Sequence, residues 1–179
     1  MAEPVEKRRW LGCTTFVLLY AALVVASLLP LNTMPRNFVG PDLLVCITLV
    51  WVLRRPDLVP LPVIAGLFFV TDLLLQRPPG LLTALMVLMT EMLRRRSAAI
   101  RALPFLLEWA VAGVVLIGLT LANRLVLAAI LTPQAPLGLS FMQMVMTMLA
   151  WPVVAMIARF GFGITRPAPG ELDARGKPL

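Results

Sequence analysis

The stretch GPDLLVCITLVWVLRRPD, residues 40–57, is an apolar run closed at both ends by groups that hydrocarbon excludes. Gly40-Pro41-Asp42 opens it and Arg54-Arg55-Pro56-Asp57 ends it, with no charge between. Proline and aspartate favour the start of a helix, and the second proline enforces its end. A helix over 41–53 is about 20 Å long, short of the ~30 Å of a bilayer core. It therefore extends backward through Phe38, or begins below the membrane surface inside a bundle.

Working outward, the rest of the chain repeats the pattern. Of 179 residues, 60% are hydrophobic and 14% charged, where a soluble domain carries about 25% charged residues. Mean hydropathy is +0.91. Lipid is the natural solvent for such a surface. Five more apolar segments emerge, over 10–31, 58–75, 79–93, 103–131 and 137–160. The first is about 33 Å long as a helix, enough to span. It outruns the 7–15 residues of a signal-peptide core, so a retained first helix is expected. Pro60 and Pro62 fall in the first turn of the third segment, where proline is tolerated. The fourth, entered through Pro78-Pro79-Gly80 and closed by Arg94-Arg95-Arg96, is short. The fifth exceeds one span and should tilt, kink or protrude. Pro152 should kink the sixth. Residues 1–164 thus read as an all-α, polytopic six-helix transmembrane bundle, and 165–179 as a disordered cytoplasmic tail rich in Pro, Gly and charge.

Orientation follows from the basic residues, which are retained on the cytoplasmic side. With the N-terminus inside, Lys7, Arg8, Arg9, Arg54, Arg55, Arg94, Arg95, Arg96, Arg101, Arg159, Arg166, Arg175 and Lys177 fall inside, 13 of the 16 Lys and Arg. Arg36, Arg77 and Arg124 fall near the outer side. Six spans put both termini on the cytoplasmic side, in agreement. The net charge of +7 is therefore a topology signal rather than a nucleic-acid footprint, and no nucleic-acid partner is expected.

The chain has no histidine and two cysteines, Cys13 and Cys46, each inside an apolar run. Zinc ligation, a histidine base and a disulfide framework have no residues to build on. GxSxG, Walker A and HExxH patterns are absent. The reading is non-enzymatic, with no metal or cofactor.

Function in such a chain should show in polar groups held at membrane depth. Arg36, Asp42, Asp72, Gln76, Arg77, Asn123 and Arg124 share the outer leaflet and are expected to line an outward-facing pocket or a partner-binding surface. Asp42 either caps its helix or faces that pocket. Asp72 sits a turn before its helix ends, which excludes a cap; an ion pair with Arg77 or Arg124 is the simpler role. Arg124 alternatively snorkels to head groups. Glu91, with Arg94 and Arg95 at i+3 and i+4, reads as a helix-surface pair. Glu108 complements the dipole of the fifth helix. Met142, Met144, Met146 and Met148 alternate, so they do not share a helix face and read as packing rather than a copper path. Trp10, Trp51 and Trp109 read as an interfacial belt. Ala21, Ala22, Ala26, Gly113 and Gly118 are candidates for close helix approach. Phe38 and Phe141 are the main aromatic candidates near the outer face, too few for a stacking site.

Residues 40–57 resemble the second-helix pattern of the MreD family of rod shape-determining proteins, in its alphaproteobacterial form: Pro41-Asp42-Leu43, an apolar run with Trp51, then Arg54-Arg55-Pro56. Gly66, Asp72-Leu73, the turn Gln76-Arg77-Pro78-Pro79-Gly80 and the run Leu81–Leu85 resemble the third and fourth helices of that family. The resemblance implies a non-enzymatic inner-membrane component of the cell-elongation complex. The implied partners are MreC directly, and MreB, RodA and the elongation transpeptidase in the same complex, supporting side-wall peptidoglycan synthesis and cell shape. It also implies a likeness to the substrate-binding subunits of energy-coupling-factor transporters, six helices around an outward-facing pocket. A small-molecule-binding transporter subunit is the alternative function.

Overall fold

A computed structural model of the chain describes residues 5–29 and 39–164. Arg36, Phe38 and the tail 165–179 lie outside the described residues. The described chain is all-helical: α1 Val5–Leu28, α2 Leu43–Arg54, α3 Leu61–Leu74, α4 Leu81–Arg101, α5 Phe105–Ala129 and α6 Leu137–Phe162. Three helices are long and apolar enough to cross a membrane, over Arg9–Leu28, Phe105–Ala129 and Leu137–Phe162.

Helix α2 is the core. Every residue from Leu44 to Arg54 is buried. A helix apolar on all sides has no solvated face and must be surrounded. Helices α1, α4 and α6 pack on it, while α3 lies on α1 and α4, and α5 on α4 and α6. Each neighbour turns one stripe inward at helical spacing: Phe16, Tyr20 and Val24 of α1; Ile64 and Phe68 of α3; Met86, Leu93 and Ile100 of α4; Ala112, Leu116 and Leu119 of α5; Trp151, Ala155 and Ala158 of α6. The i, i+4, i+7 spacing places each set on one face.

The outward faces are apolar too. Leu18 of α1, Leu88 of α4, Val114 and Leu125 of α5, and Met156 and Phe160 of α6 are all exposed. A water-soluble bundle would carry charge there. Polar bonds inside therefore count for more. The lone tyrosine, Tyr20, bonds Thr71 across α1 and α3 at 3.1 Å. At one end of the bundle Arg54 donates from Nε to Glu108 at 3.2 Å and from Nη1 to the Ala155 carbonyl at 2.8 Å. Its guanidinium lies 6.0 Å from the Trp151 ring. This buried cluster ties α2, α5 and α6 together. Glu108 thus does more than complement a dipole. Nearby, Arg55 grips Asp57 at 3.2 and 3.0 Å, and Arg94 donates to the Val59 carbonyl.

Pro152 lies inside α6, and the carbonyl it leaves without a donor has another partner. Pro152 has no N–H to give the Met148 carbonyl one turn back. The Trp109 indole supplies it, at 2.9 Å. Trp109 is therefore a structural bond, and Trp51, buried between Phe16 and Phe162, does not belong to an interfacial belt. Trp10 alone of the three is exposed.

Other expectations divide similarly. Glu91 pairs with Arg95 at 2.9 Å. Met144 and Met148, at i and i+4, pack on the core. A Cβ on Gly113 would stand 2.7 Å from the Met148 methyl, and one on Gly118 would lie 3.7 Å from Met89, so both glycines sit at helix contacts. Ala21, Ala22 and Ala26 instead face outward. Helix α4 does not stop at residue 93. The arginines end the apolar run but are good helix formers, and the helix continues to Arg101.

Candidate functional site

The bundle has an arginine end, described above, and an opposite end where α2, α4 and α6 begin and α3 and α5 finish. Helix lengths explain what lies there. Helix α6 has 26 residues and α2 only 12, about 39 and 18 Å. The two run parallel, and their register is fixed by a bond from the Asp42 N–H to Thr147 Oγ1, 2.8 Å. Thr147 is ten residues into α6, about 15 Å below its start. The central column above α2 is left empty of helix, and a cavity of about 270 Å³ occupies it.

Helices α5 and α6 build most of the wall, with Asp42 and Val45 at the start of α2. On α5, Leu116, Thr120, Asn123, Arg124 and Leu127 face the cavity at helical spacing; on α6, Ser140, Gln143, Met144 and Thr147 do so. Asp42 caps α2, its Oδ1 accepting the Val45 N–H at 3.2 Å. The same carboxylate faces the cavity, with Arg77 3.8 Å away. Cap and wall are therefore both true of Asp42. Arg124 donates to Ser140 Oγ at 2.6 Å and to the Ala135 carbonyl at 3.2 Å. Gln134 closes the loop by donating to the Arg124 carbonyl at 3.1 Å. Neutral oxygens hold this guanidinium in place. Two arginines against one aspartate leave the wall with a net positive charge.

Four of the expected site residues thus converge: Asp42, Arg77, Asn123 and Arg124. Two do not. Asp72 is fully buried behind the cavity, and its Oδ2 accepts both the Thr83 N–H at 3.2 Å and the Thr83 hydroxyl at 2.8 Å. Thr83 is the third residue of α4, whose N-cap is Gly80, with no side chain to offer. Asp72 is therefore a cap after all, of the next helix rather than its own, and not the partner of Arg77 or Arg124. Gln76 is exposed and takes the left-handed conformation, φ 53°, that ends α3. The Arg77 N–H then reaches the Asp72 carbonyl at 2.9 Å, closing the helix. Its role is in the backbone. Phe141 is exposed and does not line the cavity.

Residue reading alone missed Ser140, Gln143 and Thr147, although a signal was present. Spaced at i, i+3 and i+7, they form the polar stripe of an otherwise apolar helix. Gln134 carried no such pattern.

The chain gives no match to a family model, to a curated protein or to a solved structure.

Proposed function

We propose that this protein is a six-span, non-enzymatic component of the bacterial inner membrane, of the MreD type, with both termini in the cytoplasm. It would hold MreC and act with MreB, RodA and the elongation transpeptidase in side-wall peptidoglycan synthesis. One observation carries the membrane part of this reading. Apolar side chains cover the outward faces of the bundle, while Arg54, Arg55, Arg94 and Arg159 gather at one end and Arg77 and Arg124 alone at the other among the described residues. That asymmetry is what cytoplasmic retention of basic loops produces. The short α2 is compatible with a span, because its N-terminus opens onto a cavity inside protein, where irregular backbone is tolerated at membrane depth. The role in cell elongation rests on the resemblance of residues 40–57 and 72–80. Two acids in that pattern, Asp42 and Asp72, cap α2 and α4, so the pattern has a folding role that any bundle of this form would need.

Co-purification in a neutral detergent with MreC as the only partner is the direct test. The expected result is a complex that survives gel filtration. Its reproducible absence overturns the MreC assignment.

The cavity favours a second reading, a small-molecule-binding subunit of a transporter with an outward-facing pocket. Since Asp72 is a cap, Arg124 is the residue that separates the two. Arg124→Gln should leave MreC binding intact under the scaffold reading and weaken ligand binding under the transporter reading.

A further inference from the structure

Among the described residues, the cavity wall carries more positive charge than it balances. Arg77 meets Asp42 at the outer limit of an ion pair, 3.8 Å, and its side chain is 35% exposed. Arg124 is half-buried and, among the described residues, bonds only Ser140 and Ala135, through one terminal nitrogen. An arginine carries five N–H donors in a planar fork suited to an oxyanion. Both side chains line the cavity, and several donors on each fork have no protein acceptor among the described residues. Asp72, whose Oδ2 accepts from Thr83 of α4, does not line this cavity. Arg124 lies five residues before the end of α5, about 7 Å below it, where an unbalanced cation is costly unless an anion or water meets it. Below Arg124 the wall mixes apolar side chains, Leu116, Leu119 and Met144, with the hydroxyls of Thr120 and Thr147.

We propose that this cavity binds a small monoanion, a carboxylate or a phosphodiester, with its oxyanion on the forks of Arg124 and Arg77 and its apolar part against Leu116 and Leu119. Asp42 sets the charge: two guanidiniums against one carboxylate neutralise one negative charge, and a dianion would be left uncompensated. The volume, about 270 Å³, lies just under the ~300–1,000 Å³ of small-molecule sites, so the occupant is a short free acid or the head group of a lipid whose chains remain outside. The inference rests on the second reading and names its ligand class; the scaffold reading stands independently.

The test uses the full chain in neutral maltoside and isothermal titration with three probes: hexanoate, its neutral isostere hexanol, and dihexanoyl phosphatidylglycerol. The expected result is saturable binding of at least one anion, weakened about tenfold by Arg124→Gln and several-fold by Arg77→Gln. Arg96→Gln, at the opposite end, leaves it unchanged. Hexanoate binding identifies a free acid as the source, and binding of the phosphatidylglycerol alone identifies a lipid. Arg77→Gln keeps the test decisive if Arg124→Gln fails to fold, because Arg77 carries no buried bond. No binding of either anion overturns the proposal, as does binding that neither arginine variant weakens. Hexanol binding without hexanoate overturns the ligand class while leaving a neutral-ligand pocket.

Discussion

Residues in this bundle are tied by single polar bonds whose partners can be named. The Trp109 indole fills the place of the N–H that Pro152 lacks, on the Met148 carbonyl. Trp109→Phe leaves that carbonyl unpaired and should cost about 1–3 kcal/mol. With Pro152→Ala in the background, the restored N–H satisfies the carbonyl, and the same Trp109→Phe change should cost less. A double-mutant cycle by unfolding in mixed micelles reads the coupling; additive losses would refute the substitution of one donor for the other. The Arg54–Glu108 pair behaves differently. Both side chains are under 10% exposed, so removing either deprives a buried charge of this partner, at about 3–5 kcal/mol. Replacing both, as Arg54→Met with Glu108→Leu, should cost far less than the sum. Unfolding midpoints of the two singles and the double check this.

Elements owe their lengths to where their ends are capped, and this is where sequence reading was both strongest and weakest. Helices α1, α5 and α6 are legible because a long apolar run has one meaning. The turn proline of α3 and the cap of α2 are legible because Pro62 and Asp42 are local signals. The end of α4 was not, because Arg94–96 stops a hydropathy run without stopping a helix. The role of Asp72 was illegible for another reason. Its partner, Thr83, belongs to the following helix and is brought near by the turn, so no rule applied within α3 finds it. The α6 side of the cavity was hidden likewise, since α6 contributes hydroxyls and an amide rather than charges, and charge was what marked the site. The bond from Asp42 N–H to Thr147 sets how deep α2 begins. Thr147→Val orphans that N–H and should cost about 1–2 kcal/mol. Thr120→Val, whose hydroxyl bonds its own helix at Leu116, should cost little. Comparable losses from both would mean that the register of α2 is held elsewhere.

The whole molecule is a ring of helices around a short buried one, apolar without and sparsely polar within. In water its outward leucines and phenylalanines would drive aggregation; in hydrocarbon they are at home, and cohesion comes from packing and the few internal bonds. The two ends then differ in what they offer: one is crowded with arginine, the other holds a cavity. Everything proposed about MreC, the pocket and its anion depends on which end meets the cytosol. Single cysteines introduced after Cys13 and Cys46 are replaced by alanine decide it: Arg96→Cys and Gly161→Cys at the arginine end, Pro79→Cys and Ala135→Cys at the cavity end, all at exposed positions. In intact spheroplasts a membrane-impermeant maleimide should label positions 79 and 135 and spare 96 and 161, with the pattern reversed in inverted vesicles. Labelling of 96 or 161 from outside, or of both ends from one side, would contradict the account.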